Sequence, residues 1–434
     1  MLDRRIIAAA CGLAVVAAGL LQPLPASAAP SNVTLSWTAE THKRIRVTWT
    51  DAGEPNVVRV EAPGGEHITV GMTGTSAANE VVLEPYTVKF AGDQSLRISV
   101  YPMGSDGEPS GPGASSAPFD TLQPPTIALD SATAGAGGTV KLTWHLGTAV
   151  TDPNPGDPLD VPGPTQIFVK TSRDAVDVPA VQTTNTSGGE IPYVQRPYSA
   201  FVMAENEWGN HDLDSVDVGN YSVSTGISPI ATYGNPLSVW GTVRFQWCRS
   251  FTAHPGSCDL SVDAAPAIQV YLQQRADATQ PWTTVKYAVT DDYGRFLFRP
   301  NAYGQQFRVL VPNGPNDLAR FGVGFGTTSA PLATPTRYSV WRARFYDDTV
   351  GYGQHATALV GVYPAADVRA TLQRWDGTTW VAAKWVYLVD GRGSYTFTAL
   401  RRGTTAYRFY LPSITYDGKP ITATITPTFR LTVS

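Results

Sequence analysis

Charge, cysteine and histidine are all in short supply. Asp, Glu, Lys and Arg make up only 16% of the 434 residues. No stretch carries a long apolar repeat at helical spacing with a charged opposite face, so a helical bundle is excluded. Three cysteines leave no second pair to complete a four-ligand metal site. The six histidines, His42, His67, His145, His211, His254 and His355, are scattered without ligand spacing. There is no His-Glu-x-x-His, no Gly-x-Ser-x-Gly, no Ser-x-x-Lys and no Gly-rich phosphate cradle. A hydrolase should show a nucleophile, a base and an orienting group in a plausible context, and no such set is visible. The chain is therefore expected not to be an enzyme. Paired carboxylates could still converge in space without a sequence signature, which keeps a hydrolase on a β scaffold as a minor alternative.

What the chain has instead is turn and strand chemistry: 40 Gly, 34 Pro and 19 Tyr. Such a composition predicts short strands, many turns and little helix. At this length three or four domains are expected, since single cores rarely exceed about 150 residues.

The first residues stand apart. Residues 1–28 carry Arg4 and Arg5, an apolar run to Leu21, a Pro break, and small residues Ala26 and Ala28 before a cleavage point. They read as an export signal, too short in its apolar run for a permanent membrane span. Removing Asp3, Arg4 and Arg5 with that leader leaves 30 basic and 35 acidic residues, a net charge of −5. A nucleic-acid partner is not expected, because phosphate binding needs clustered cations. Cys11 goes with the leader. Cys248 and Cys258 remain and are expected to form one disulfide in an oxidising compartment, worth roughly 3 kcal/mol in the chain-entropy model. The alternative is a two-ligand metal site with His254.

Internal repetition is the most informative feature. Residues 270–312 and 369–412 align through Leu272 and Leu372, Trp282 and Trp380, Lys286 and Lys384, Gly294 and Gly393, Phe298 and Phe397, and Arg308 and Arg408. Residues 221–331 and 332–434 are thus two copies of one unit. Each alternates apolar and polar residues over short runs between turn signals, as a two-sheet sandwich requires. Three tryptophans crowd one hairpin of the second copy: Trp375, Trp380 and Trp385. Trp380 and Trp385 have aromatic counterparts, Trp282 and Tyr287, and are expected to pack within the sheet. Trp375 is matched by Arg275, so no core position demands an aromatic there. It is the candidate exposed ring.

The first half holds another pair. "KRIRVTWTD" and "GTVKLTWHL" are alternating strands ending at Trp49 and Trp144. Later "YSAFVMAENEWG" runs from Tyr198 through Ala200, Val202 and Ala204 to Asn206 and Gly209, and "LRISVYPMGSDG" keeps that spacing from Leu96 to Gly107. This pattern resembles the fibronectin type III module, well over residues 124–220 and less completely over 31–122, where Leu96 and Gly104 replace the tyrosine and asparagine. The two C-terminal copies are similar to immunoglobulin-like repeats of secreted proteins of high-GC Gram-positive bacteria. Neither resemblance implies catalysis.

The expected organisation is an all-β tandem array of four immunoglobulin-like or fibronectin III-like β-sandwiches: leader 1–28, then modules 29–122, 123–220, 221–331 and 332–434. The expected role is binding, adhesion or structure outside the cell or at its wall, with an extracellular protein or a polysaccharide as partner. A carbohydrate-binding accessory protein is the sharper alternative. Trp375 and Trp208 are the candidate ligand contacts. In the Pro-rich loop "TDPNPGDPLD", Asp152, Asn154, Asp157 and Asp160 offer oxygens of the kind calcium prefers, without the spacing of an EF-hand loop. No cofactor is expected.

Overall fold

The computed structural model describes residues 29–38, 44–89, 95–149, 151–172, 178–183, 185–192, 194–251, 258–315 and 322–434. The candidate leader lies outside them, and so do the side chains at 172, 178–181, 211, 249–251 and 258–259. The described chain is all-β, a series of antiparallel sheets packed as tandem sandwiches. Its one α-helical element is the single turn Pro85–Val88, where proline occupies the first turn and loses no hydrogen bond.

Chain contacts divide the protein into two compact units. Unit 1 holds residues up to 124 together with 150–163 and 206–209. It contains a three-stranded sheet, Ser31–Trp37, Ile45–Thr50 and Glu80–Leu83, and a four-stranded one centred on Asn56–Glu61 and Arg97–Pro102. Alternation dictates the packing: Ile45, Val47 and Trp49 point inward from one sheet, Val58, Val60, Ile98 and Val100 from the other, all into one core.

Unit 2 holds the rest. In the second module the sheet of Ile127–Ala134, Val140–Leu146 and Gly188–Ile191 shares a core with Gln166–Ser172 and Tyr198–Asn206 through Trp144, Ile167, Tyr198 and Val202. Gly209–Ile227 then runs through 19 residues and pairs with Val239–Phe251, so one strand serves both the second and the third module across position 220. Gly322–Phe325 joins it in parallel, and Val323 and Phe325 enter the second module's core. The backbone sets Phe251 opposite Cys258 and Cys248 opposite Leu260 on adjacent strands.

The third and fourth modules repeat one design. Gln269–Arg275 lies between Thr283–Val289 and Gln306–Val311, and Val368–Trp375 lies between Trp380–Leu388 and Gly403–Leu411. Both central strands break register at the same point, Leu272/Gln273 and Leu372/Gln373. The leucines are fully buried in both. One expected correspondence is corrected. Gly294 and Gly391, not Gly393, share positive φ, and their carbonyls accept from Val243 N and Val362 N, each at 2.8 Å. A Cβ on either would lie within 2.4 Å of a backbone oxygen, so both turns require glycine. The slip is two residues, which leaves every side chain on its own face and so cannot be seen in the alternation.

Candidate ligand-binding face of the fourth module

Val368–Trp375 buries Val368, Ala370 and Leu372, and its neighbour Trp380–Leu388 buries Val386 and Leu388. The residues between must point out. Arg369 stands opposite Tyr387, and Thr371 stands opposite Trp385 on one side and Tyr410 on the other. Tyr387 is 70% exposed, Trp385 59% and Tyr410 38%. Trp385 is thus corrected from a sheet-packing residue to a surface one, and so is its counterpart Tyr287, 69% exposed. The signal was present in the sequence: Trp385 is out of phase with Val386 and Leu388, and strand period 2 sends it to the other face.

The outer face continues toward the hairpin tip. Arg408 and Tyr410 alternate with buried Tyr407, Phe409 and Leu411, so both look outward. Arg408 Nε donates to Gln373 Oε1 at 2.7 Å, and its guanidinium lies 4.3 Å over the ring of half-buried Trp380. The third module has the same arrangement: Arg308 Nε to Gln273 Oε1 at 2.7 Å, with the guanidinium 4.7 Å over Trp282. Trp380 and Trp282 are therefore held on the outer face by a cation–π contact instead of in the core. Trp375 pairs across the strands with Trp380, ring centroids 5.5 Å apart, and is 37% exposed.

The tip itself is braced. Asp376 accepts from Thr378 N, Thr379 N and Thr378 Oγ1 at 2.8 to 3.0 Å. These donors hold its carboxyl at about 2. A row of rings thus runs along one sheet from Tyr387 through Trp385 and Tyr410 to Trp380 and Trp375, with Arg369 laid 4.2 Å over Trp385. In the third module the same positions carry Val289 for Tyr387, Leu310 for Tyr410 and Arg275 for Trp375, so the aromatic row belongs to the fourth module. A rigid strand-borne row of π-faces can stack on the C–H faces of pyranose rings, and arginines beside them can bind hydroxyl or acidic oxygens.

Charge sets this module apart as well. Residues 332–434 carry twelve Lys and Arg against six Asp and Glu, while residues 29–220 carry ten against twenty-three. The near-neutral total hides a cationic end.

The other expected sites lie in unit 1. Trp208 is 4% exposed and sits in the core, edge-on to Trp37 at 5.3 Å and stacked near Phe119, with the Lys89 ammonium on its carbonyl. It is corrected from a ligand contact to a packing residue: burial leaves no ring face for a ligand. Each candidate ligand of the acidic loop has an oxygen engaged by a donor of the protein itself, Asn154 Oδ1 by Ser95 Oγ at 2.9 Å. Asp152 Oδ1 accepts from Asn154 N, Asp157 Oδ1 from Leu159 N, and Asp160 Oδ2 from Asp157 N. Asp157 Oδ2 accepts from Asp120 N at 2.9 Å. Asp120, 2% exposed, is raised to about 6, first by burial and then by Asp152 and Asp157. Burial also raises Glu207 to about 7, reinforced by Asp160, Asp120 and Asp157. Among the described residues no three His, Cys, Asp or Glu side chains are placed to hold a metal ion. No described helix is long and apolar enough to cross a membrane.

Among known proteins, no family model and no curated protein matches this chain. Solved structures do. The native conformation of E. coli alpha-2-macroglobulin aligns over 95% of this chain and 32% of its own, at 8% identity and TM-score 0.19. The FN1–FN3 domains of chicken CNTN1 align over 70% of this chain and 98% of their own, at 12% identity and TM-score 0.21. The chain thus spans about a third of the macroglobulin and nearly all of the CNTN1 fragment.

Proposed function

We propose that this chain is an exported, non-enzymatic binding protein, with fibronectin III-like modules in its first half and immunoglobulin-like repeats in its second, that holds a polysaccharide on the outer face of the fourth module. The observation that carries this reading is the outward row of Trp385, Tyr387 and Tyr410, exposed on a sheet whose other face is a complete core. Rings left in water at this size and density cost solubility without adding to the fold, which is the signature of a binding face. Export rests on the leader at residues 1–28, and the expected Cys248–Cys258 disulfide fits an oxidising compartment.

The test is co-sedimentation of the chain, without residues 1–28, with insoluble polysaccharides and isolated cell walls, with soluble sugar release followed in the same tubes. Retention that falls at least about tenfold in Trp385→Ala supports the reading. Retention unchanged by Trp385→Ala and Tyr387→Ala together removes the aromatic face as the site. Sugar release would make the chain an enzyme.

A further inference from the structure

At the end of the fourth sandwich, on the inner side of the sheet whose outer face carries the aromatic row, is a cavity of about 280 Å³. Its polar lining consists of Arg374, Arg401, Tyr407, Thr398 and Thr405, above an apolar floor that includes Phe397. Every polar side chain among its lining residues is a hydrogen-bond donor or a cation, and none is a carboxylate.

Arg374 is the residue to explain. It follows the register break at Leu372/Gln373 and pairs with buried Tyr407, so its stem turns toward the sandwich end while its neighbour Trp375 goes to the surface. Its Nε is buried and has no hydrogen-bond partner. A buried guanidinium nitrogen without an acceptor is destabilising, so the arginine is held at this site against a cost. Arg401, exposed on the neighbouring turn, adds a second positive charge, and both arginines act electrostatically on the Tyr407 hydroxyl. Burial raises the Tyr407 phenol above its ordinary range, so it stays protonated as a donor.

From this we infer that the cavity binds a carboxylate: the acidic group of a uronic-acid unit in a polymer held by this module. The terminal nitrogens of a guanidinium match a carboxylate in a two-bond geometry. The apolar floor favours a singly charged group on a carbon body over a strongly hydrated phosphate. The excess of twelve basic over six acidic residues in 332–434 complements a polymer with one negative charge per unit. The polymer part of this inference rests on the polysaccharide reading; the carboxylate pocket does not.

The experiment is calorimetric titration of the chain, without residues 1–28, with sodium D-glucuronate, D-glucose and inorganic phosphate at constant ionic strength, together with pull-down on polygalacturonate and on a neutral glucan. Saturable glucuronate binding that glucose does not reproduce is expected. It should weaken about tenfold or more in Arg374→Gln and in Arg401→Gln. Arg374→Lys should weaken it too, since lysine keeps the charge but loses the fork. Arg401 is exposed, so Arg401→Gln decides the matter if Arg374→Gln melts early. Glucuronate binding that is absent, or indifferent to both arginines, overturns the pocket. Phosphate binding in place of glucuronate overturns the carboxylate. Neutral glucan retention that depends on Trp385 in either of those cases leaves the polysaccharide reading standing without the pocket.

Discussion

Arg408 and Gln373 are joined across neighbouring strands by a 2.7 Å hydrogen bond, and Arg308 and Gln273 by one of the same length a hundred residues earlier. In each copy the glutamine directly follows a register break, and the arginine lies over a tryptophan on the outer face. A β-bulge twists the strand locally, and the Arg–Gln–Trp clamp holds that twist. In the fourth module it also sets the angle at which Trp380, and with it Trp375, meets the surface.

The clamp should therefore contribute to stability as a coupled unit. Arg408→Ala and Gln373→Ala are each expected to cost about 1–2 kcal/mol, with a double mutant less destabilised than the sum by about 1 kcal/mol. Urea denaturation followed by tryptophan fluorescence checks this. Strict additivity would mean that the two side chains act independently.

Core and surface aromatics of this module should separate cleanly. Trp385→Ala and Tyr387→Ala are expected to change stability by no more than about 0.5 kcal/mol, because both rings are already in water. Leu372→Ala, at a fully buried site, should cost about 2–5 kcal/mol. Thermal melts of the three variants provide the comparison, and a large loss from Trp385→Ala would return that ring to the sheet core.

Acidity should stabilise unit 1. Burial and neighbouring carboxylates raise Asp120 to about 6 and Glu207 to about 7. A carboxyl whose folded value lies above its unfolded value near 4 binds its proton more tightly in the native state. Its contribution is complete below about pH 4 and is lost as pH rises through 6 to 7. Unit 1 is thus expected to be less stable at pH 8 than at pH 5, by about 1–3 kcal/mol from Asp120. Asp120→Asn, which cannot ionise, should reduce that dependence and leave the part due to Glu207. Melting curves of both proteins across this range are the check, and parallel curves would contradict it.

Cys248 and Cys258 lie near adjacent positions on paired strands, Phe251 being opposite Cys258. Export should leave no titratable thiol in the mature chain, and reduction should lower stability by roughly 3 kcal/mol. Thiol titration under denaturing conditions, before and after reductant, measures it. Two free thiols before reduction would refute the pairing.

Much of the fold was legible because strand period 2 is written into each short run. "IRVTWT" exposes its odd and even faces without any tertiary knowledge, and Ile45, Val47 and Trp49 are buried accordingly. The same rule applied to "KWVYL" places Trp385 and Tyr387 opposite Val386 and Leu388. It was the aromatic counterpart Tyr287 in the sister copy that suggested a core position. Trp208 misled for a different reason. It lies in a turn between strands, where period carries no information, and only its packing against Trp37 and Phe119 settles its burial. The glycine correspondence failed for a third: a slip of two residues is silent in an alternating pattern.

The amino-acid sequence by itself determined an all-β chain of repeated sandwiches, because alternation, turn glycines and a recurrent Leu-Gln…Arg pattern are local properties. Only the tertiary structure decided which oxygens and rings meet. It gathered Asp120, Asp157 and Glu207 from three distant segments, and it set Arg374 and Arg401 around Tyr407. Such groupings depend on register between strands far apart in the chain. That register is fixed by long-range pairing and core packing, which no single run of residues encodes.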